Sequence, residues 1–200
     1  GTGGHITPGI AIANMLRDRG DNVKFVGTET GMEKELVPKA GYDLEYIHAE
    51  GLHRGLSLKN IKTLMTLKKG IDDCLKIIDT EKPDIVIGTG GYICVSVGIA
   101  ANRLKIPIVL HESNAFPGVA IKLLSKKAKA VLLGFDDAKT RLPKAKNVVV
   151  TGTPTKIKSS KLTDEEKANL RSALMLKNEL PLVLVFGGSQ GARSINNAII

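Results

Sequence analysis

Glycine clusters stand at three places where this chain turns into a helix-like run, and that recurrence constrains the fold more than anything else in the sequence. They are Gly1-Thr2-Gly3-Gly4-His5, Gly88-Thr89-Gly90-Gly91-Tyr92 and Gly187-Gly188-Ser189-Gln190-Gly191. The second follows the β-rich run DIVIG and leads into a small-residue segment; the third follows LVLVF and leads into a helix start. A glycine-rich turn that feeds a helix exposes backbone N–H groups beside the positive end of the helix dipole, where a phosphate or pyrophosphate can be held. One such cluster is readily a plain tight turn; three in a short chain point to phosphate-bearing ligands. None fits the P-loop pattern, and none has the full dinucleotide spacing with an acidic residue at the next strand's end. ATP and NAD in their usual modes are therefore disfavoured. In an open α/β sheet such a loop follows a strand. With no strand ahead of Gly1, the expectation is a chain truncated at its N-terminus, starting inside its own active site.

The remaining pattern alternates strands and helices. Pro8 suits a first helical turn, Ile10, Ile12, Ala13 and Leu16 continue an apolar run, and Gly20 is a natural stop. Strands are expected over 22–27, 44–47, 84–88, IVLHE, AVLLGF, 147–152 and 182–186. Helices are expected over 32–40, from Ser57 through Ile78, and over 123–128. Short connections and this alternation imply an α/β fold built as a Rossmann-like, doubly wound parallel sheet covered on both faces. The polar, basic stretch TPTKIKSSKL reads as a linker, and Thr163 with Glu166 then forms a capping-box signature. We therefore expect one domain over residues 1–157 and, over 158–200, a linker with the truncated start of a second.

Charge narrows the partners. The net charge of +9 favours an anionic partner and leaves nucleic acid, an anionic membrane surface and a polyphosphate ligand open. Aromatic residues are only 4% and Trp is absent, which argues against a base-stacking nucleic-acid binder. Cys74 and Cys94 are too far apart for a metal knuckle and suit a reduced compartment. No apolar stretch reaches the roughly 18 residues needed to span a bilayer.

Five segments in order, GTGGHITPGIAIANML, GTGGYICVSVGIAA, HESNAFPGVAIKLLSKKA, GTPTK and GGSQGARSINN, resemble the MurG family of N-acetylglucosaminyltransferases over essentially the whole chain. The resemblance implies the two-domain GT-B glycosyltransferase fold. It also implies inverting transfer of N-acetylglucosamine from UDP-N-acetylglucosamine to undecaprenyl-diphospho-N-acetylmuramoyl-pentapeptide in peptidoglycan synthesis. By the same resemblance His5 is the catalytic candidate, and Thr2, Gly3, Gly4, Asn114, Lys156 and Ser189 are donor contacts. Gly90, Gly91 and Tyr92 are similar to a loop that helps hold the acceptor diphosphate; His111 and Glu112 are supporting residues at a strand end, and Gly187, Gly188 and Gly191 support the third loop by permitting close backbone approach beside Ser189.

The chemistry suits these groups. Inverting transfer needs a base near the acceptor hydroxyl and stabilisation of the departing diphosphate, and an imidazole with pKa ~6.5 can accept that proton. The alternative for His5 is a hydrogen-bonded helix-start residue, and for His111 and Glu112 a structural pair holding the HESN turn. His48 and His53 have no constellation around them in the sequence. No Asp-x-Asp occurs, so no metal is expected, and no cofactor is implied.

Lys156 stands where the family usually has Arg, which keeps charge but loses bidentate geometry. Cys94, Ser96 and Ile121 also depart from the usual Ser, Pro and Asn, which puts substrate contacts rather than the family in question. A lipid-linked acceptor implies a peripheral enzyme on the cytoplasmic face of the bacterial membrane, meeting an anionic surface, with no nucleic-acid partner. Residues 54–69, carrying Arg54, Lys59, Lys62, Lys68 and Lys69, and the basic group Lys122, Lys126, Lys127 and Lys129 suit that contact, the alternative for the first stretch being a core-facing helix with a solvated basic side. The competing readings are a related GT-B enzyme with another lipid acceptor and a non-catalytic phosphate-ligand module. By themselves these 200 residues are expected to turn over little or nothing.

Overall fold

The computed structural model describes residues 2–51, 59–155, 161–177, 180–187 and 192–199, and of 59–62 the backbone alone. The chain divides into two compact units, Gly1–Lys156 and Ile157–Ile200.

The first unit contains two parallel sheets. In one, β1 (Lys24–Gly27) pairs with β2 (Asp43–Tyr46); in the other the order is β3 (Val86–Gly88), β4 (Ile108–Glu112), β5 (Ala130–Leu133), β6 (Val148–Val150). Every pairing is parallel. Parallel neighbours require crossovers, and helices supply most of them: α1 (Gly3–Asp18) leads to β1, α2 (Glu33–Lys39) joins β1 to β2, and α3 (Lys59–Glu81) joins β2 to β3. Likewise α4 (Gly91–Arg103) joins β3 to β4 and α5 (Val119–Leu124) joins β4 to β5. The last crossover, β5 to β6, is a 3-10 turn over Asp136–Arg141 that the apolar periodicity did not announce.

The main core lies where α3, α4 and α5 cover the four-stranded sheet. Leu110 and Leu133 are fully buried there among Ile71, Cys74, Ile78, Ala100, Ala101 and Ile121. Burying a side chain such as Leu110 contributes about 1.5–3 kcal/mol. Small residues let the helices approach: a Cβ on Gly98 would come within 2.6 Å of Leu124, and one on Gly70 within 2.1 Å of the His48 carbonyl oxygen. A second cluster, Ile6, Ile10, Ala13, Val37 and Tyr42, joins α1 to α2 and the β1–β2 sheet.

Two local expectations change. Helix α1 starts at Gly3 with Thr2 as an extended N-cap, so the first glycine cluster is itself the opening helical turn. Pro8 consequently sits in the second turn, where it withholds an N–H from the Gly4 carbonyl. The basic helix expected over 123–128 instead begins at Val119 and ends at Leu124.

The second unit holds α6 (Asp164–Ala173) and α7 (Arg193–Asn197). The capping box forms as the sequence indicates: Glu166 N–H donates to Thr163 Oγ1 at 3.2 Å, and Thr163 N–H to Glu166 Oε2 at 2.7 Å. The strand expected over 182–186 does not form, and Leu182, Val183, Leu184 and Phe186 are exposed. A strand exists only by pairing, and among the described residues of this unit there is no other strand to pair with.

Candidate functional site

The ends of β3 and β4 and the start of α1 position the side chains singled out above. His5 lies in the first turn of α1, half-buried, with Nδ1 3.0 Å from Thr2 Oγ1. The Thr2 hydroxyl thus engages the imidazole and makes no side-chain cap to the helix backbone. The imidazole packs against the second glycine cluster: a Cβ on Gly90 would stand 2.7 Å from His5 Cδ2, and one on Gly91 3.6 Å from Nδ1. Both glycines have positive φ, 99° and 78°. Backbone conformation and the imidazole together therefore exclude side chains there. Gly90 is also the N-cap of α4. Two helix N-termini, each carrying roughly half a positive charge, consequently flank one imidazole. Burial holds the His5 pKa below 6.5, outweighing the opposing pull of the Glu112 carboxylate.

The HESN segment is built around Glu112, which is buried at the end of β4. Its Oε1 accepts from the Asn114 backbone N–H at 2.9 Å and side-chain Nδ2 at 2.8 Å, and Oε2 accepts from Gly118 N–H at 2.7 Å. Glu112 therefore clamps the loop from 113 to 118. Because a carboxylate only accepts here, the Asn114 amide must turn its NH2 inward, which leaves Oδ1 as the group an exposed Asn114 presents. His111 is fully buried, with Nε2 3.2 Å from the Gly152 carbonyl and Nδ1 3.4 Å from Ser113 Oγ. A carbonyl only accepts, so Nε2 carries the proton and Nδ1 accepts from Ser113. His111 thus ties β4 to the turn after β6 and has no free nitrogen to offer a ligand.

Thr2, His5, Gly90 and Gly91 are together in space, and the charge of Glu112 reaches His5. Gly3 and Gly4 open α1, with space around both for a close approach. Tyr92, in the first turn of α4, lies beside Gly51. Gly187 is described in the second unit; Lys156, Gly188, Ser189 and Gly191 lie outside the described residues, as do His53 and Arg54.

Other pairings were not apparent from the sequence. His48, which has no sequence neighbours to suggest a role, has Nδ1 2.6 Å from Asp73 Oδ2 on α3, and its backbone N–H donates to the same oxygen at 3.1 Å. Thr28 N–H and Oγ1 donate to the buried Glu33 at 3.0 and 2.7 Å. The His48 contact spans 25 residues, so no local motif could announce it.

Comparison with known proteins follows the same geometry. Residues 1–133 match the glycosyltransferase family 28 N-terminal domain. A UDP-N-acetylglucosamine--N-acetylmuramyl-(pentapeptide) pyrophosphoryl-undecaprenol N-acetylglucosamine transferase of Alkaliphilus oremlandii is 43% identical over all of this chain and 54% of its own length. The protein of that name from Clostridioides difficile is likewise 43% identical, over 49% of its length. The chain thus spans about half the length of the curated relatives it matches. The crystal structure of Acinetobacter baumannii MurG superposes with a TM-score of 0.64 at 31% identity, covering 80% of this chain and 45% of that one. The parallel sheets, their helical crossovers and this match give the first unit the Rossmann-like architecture of a GT-B glycosyltransferase. The two helix N-termini around His5 and the Glu112-clamped loop therefore lie within a chain that belongs to glycosyltransferase family 28, whose N-terminal domain its residues 1–133 match.

Proposed function

We propose that this chain supplies the acceptor-side half of an inverting N-acetylglucosaminyltransferase. The donor is UDP-N-acetylglucosamine, the acceptor is undecaprenyl-diphospho-N-acetylmuramoyl-pentapeptide, and the second unit begins the nucleotide-sugar domain. The observation that carries this reading is the neutral-leaning His5 between the N-termini of α1 and α4, in a chain 43% identical to a transferase of that name.

In this mechanism His5 donates Nδ1–H to Thr2 Oγ1 and keeps the Nε2 lone pair for the acceptor hydroxyl. The hydroxyl oxygen forms a bond to the anomeric carbon as the bond from that carbon to the UDP oxygen breaks. The hydroxyl proton passes to Nε2, and the electron pair leaves on the UDP diphosphate. The open backbone around Gly3, Gly4, Gly90 and Gly91 admits diphosphate oxygens to the helix N-termini, which supply fixed positive potential without reorganisation. Tyr92 flanks the acceptor diphosphate, and Asn114 presents Oδ1 to the donor. For Lys156 and Ser189 the proposed role is contact with the donor, with Gly187, Gly188 and Gly191 permitting close backbone approach in that loop, while Glu112 and His111 hold Asn114 and the turn after β6 in place.

The acceptor brings the enzyme to the cytoplasmic face of the membrane as a peripheral protein. Among the described residues no helix is long and apolar enough to cross a membrane. Leu64 and Met65 are exposed on α3 beside Lys68 and Lys69, a mixture suited to an anionic interface. Binding to anionic vesicles but not neutral ones would support this contact, and equal binding to both removes its electrostatic part.

The decisive experiment joins this chain to the C-terminal half of the Alkaliphilus oremlandii relative and supplies labelled UDP-N-acetylglucosamine with the muramoyl-lipid acceptor. Transfer is expected, and His5→Ala should reduce it about 10²–10⁴-fold. A folded chimera that transfers nothing sinks the reading, while transfer only to another lipid acceptor redirects it.

A further inference from the structure

His48 is the first residue beyond the β1–β2 ladder: Ile47 N–H still donates to the Gly27 carbonyl, and after it the chain leaves the sheet. Three groups of His48 then meet one face of α3. The backbone N–H and the ring Nδ1 both engage Asp73 Oδ2, at 3.1 and 2.6 Å, and the carbonyl oxygen lies where a side chain on Gly70 would stand. Gly70 and Asp73 are three apart on a helix and so share that face. A carboxylate only accepts, so Nδ1 carries the ring proton toward Asp73. Burial pushes the Asp73 carboxyl up, but the His48 hydrogen bonds prevail, with Lys69 assisting, and the group is ionised at neutral pH. Two N–H groups of one residue closing on one ionised oxygen form a charge-assisted grip, unlike an exposed pair of long side chains, which contributes little.

The segment gripped in this way runs to the second glycine cluster. The Cβ position of Gly70 that the His48 carbonyl occupies is also 3.1 Å from Ser96 Oγ on α4. Three residues after His48, a Cβ on Gly51 would stand 3.7 Å from Tyr92 Cδ1. Tyr92 and Ser96 are four apart on α4 and lie on one face of it. The 48–51 segment therefore follows α4 by one turn, roughly 5.4 Å, toward the helix N-terminus. It ends against the ring proposed to flank the acceptor diphosphate. Gly51 has no side chain with which to anchor itself and Ala49 supplies only a methyl, so the polar grip on His48 dominates the placement of the segment.

We propose that His48 and Asp73 are positioning residues for the acceptor: together they latch the 48–51 segment onto α3 and thereby set the Tyr92 ring at the acceptor site. The inference rests on the acceptor role proposed for Tyr92 and adds to it two residues that act through that ring, brought together across 25 positions of sequence. The latch governs acceptor capture. Proton transfer at His5 is independent of it, because Thr2 and the Gly90–Gly91 turn hold that imidazole.

The test compares His48→Ala, His48→Gln, Asp73→Ala and the double variant His48→Ala/Asp73→Ala with His48→Asn, whose amide N–H falls where Nδ1–H stands; the longer Gln amide does not. In the 200-residue chain, the nuclear Overhauser contact between Gly51 Hα and the Tyr92 ring should persist in the unmodified and His48→Asn proteins and be lost in the other four. In the chimera with a relative's C-terminal half, the same four variants should raise KM for the lipid acceptor roughly tenfold, as loss of a charge-assisted hydrogen bond does, with kcat and the donor KM unchanged. The double variant should be no worse than either single one, since each already opens the latch. An unchanged ring contact overturns the proposal. So does a lower Tm with acceptor KM intact, which makes the pair merely structural, and so does a fall in kcat alone. A chimera that transfers nothing in its unmodified form sinks the enzymatic reading instead, and the Gly51–Tyr92 contact across the variants still decides the latch.

Discussion

The Ser96 hydroxyl is buried on α4 with no hydrogen-bond partner among the described residues. A buried polar group left unpaired costs roughly 1–3 kcal/mol, and deleting it leaves only a small void. Ser96→Ala should therefore raise the urea midpoint, by about 1 kcal/mol of stability; a lowered midpoint would show that the hydroxyl is satisfied. At His5 the cost concerns a charge. Burial favours the neutral ring, so its contribution to stability is fully present above pH 6.5 and is lost as pH falls through the lower folded-state pKa. Histidine-ring NMR should show His5 titrating below 6.5, and Glu112→Gln should move the midpoint lower still by removing the one attraction that opposes desolvation. A midpoint above 6.5 would contradict the burial of the imidazole. Asp73 has the same sign of dependence in the acid range. Burial pushes its carboxyl up, but the His48 hydrogen bonds prevail and hold it below 3.8, so it too weakens the fold as it protonates.

Among the elements, α3 shows why a small residue can carry an interface. Gly70 brings the helix against the His48 carbonyl, with Ser96 Oγ 3.1 Å from the same Cβ position. A backbone carbonyl cannot rotate aside, so Gly70→Ala must displace α3 from β2's exit loop. The expected loss is about 1–3 kcal/mol, the usual cost of overpacking, measurable as a lower thermal midpoint. An unchanged midpoint would mean that the helix slides freely. Most elements were legible from apolar periodicity and glycine punctuation, because α1 to α4 and β1 to β6 obey local rules. The 182–186 run shows the limit. Its composition is that of a strand, but pairing is a nonlocal property and no periodicity encodes the partner. The site divides in the same way. GTGGH and GTGGY were visible as motifs, but the packing of an imidazole on Gly90 and Gly91 joins residues 85 and 86 positions apart in sequence. In HESN the sequence supplied the letters, while only the three hydrogen bonds to Glu112 assign it to clamping the loop.

At the scale of the molecule, the six strands among the described residues pair in parallel, so every ladder there waits on a crossover. Such nonlocal topology slows folding relative to hairpin-rich or helical proteins of similar stability. The core sealed by those crossovers contains two thiols, Cys74 on α3 and Cys94 on α4, both buried in the same cluster. Burial pushes Cys74 up to about 12 and Cys94 up to about 11, so neither supplies a thiolate at neutral pH. Native protein should consequently resist a thiol-specific alkylating reagent, whereas the urea-unfolded chain reacts at once; rapid alkylation of the native chain would refute the burial. The two cysteines also form a pair of built-in clocks. Followed separately by peptide mass spectrometry, they should tick together, since the interface that hides one hides the other, and their common rate would time how often the molecule opens through its middle.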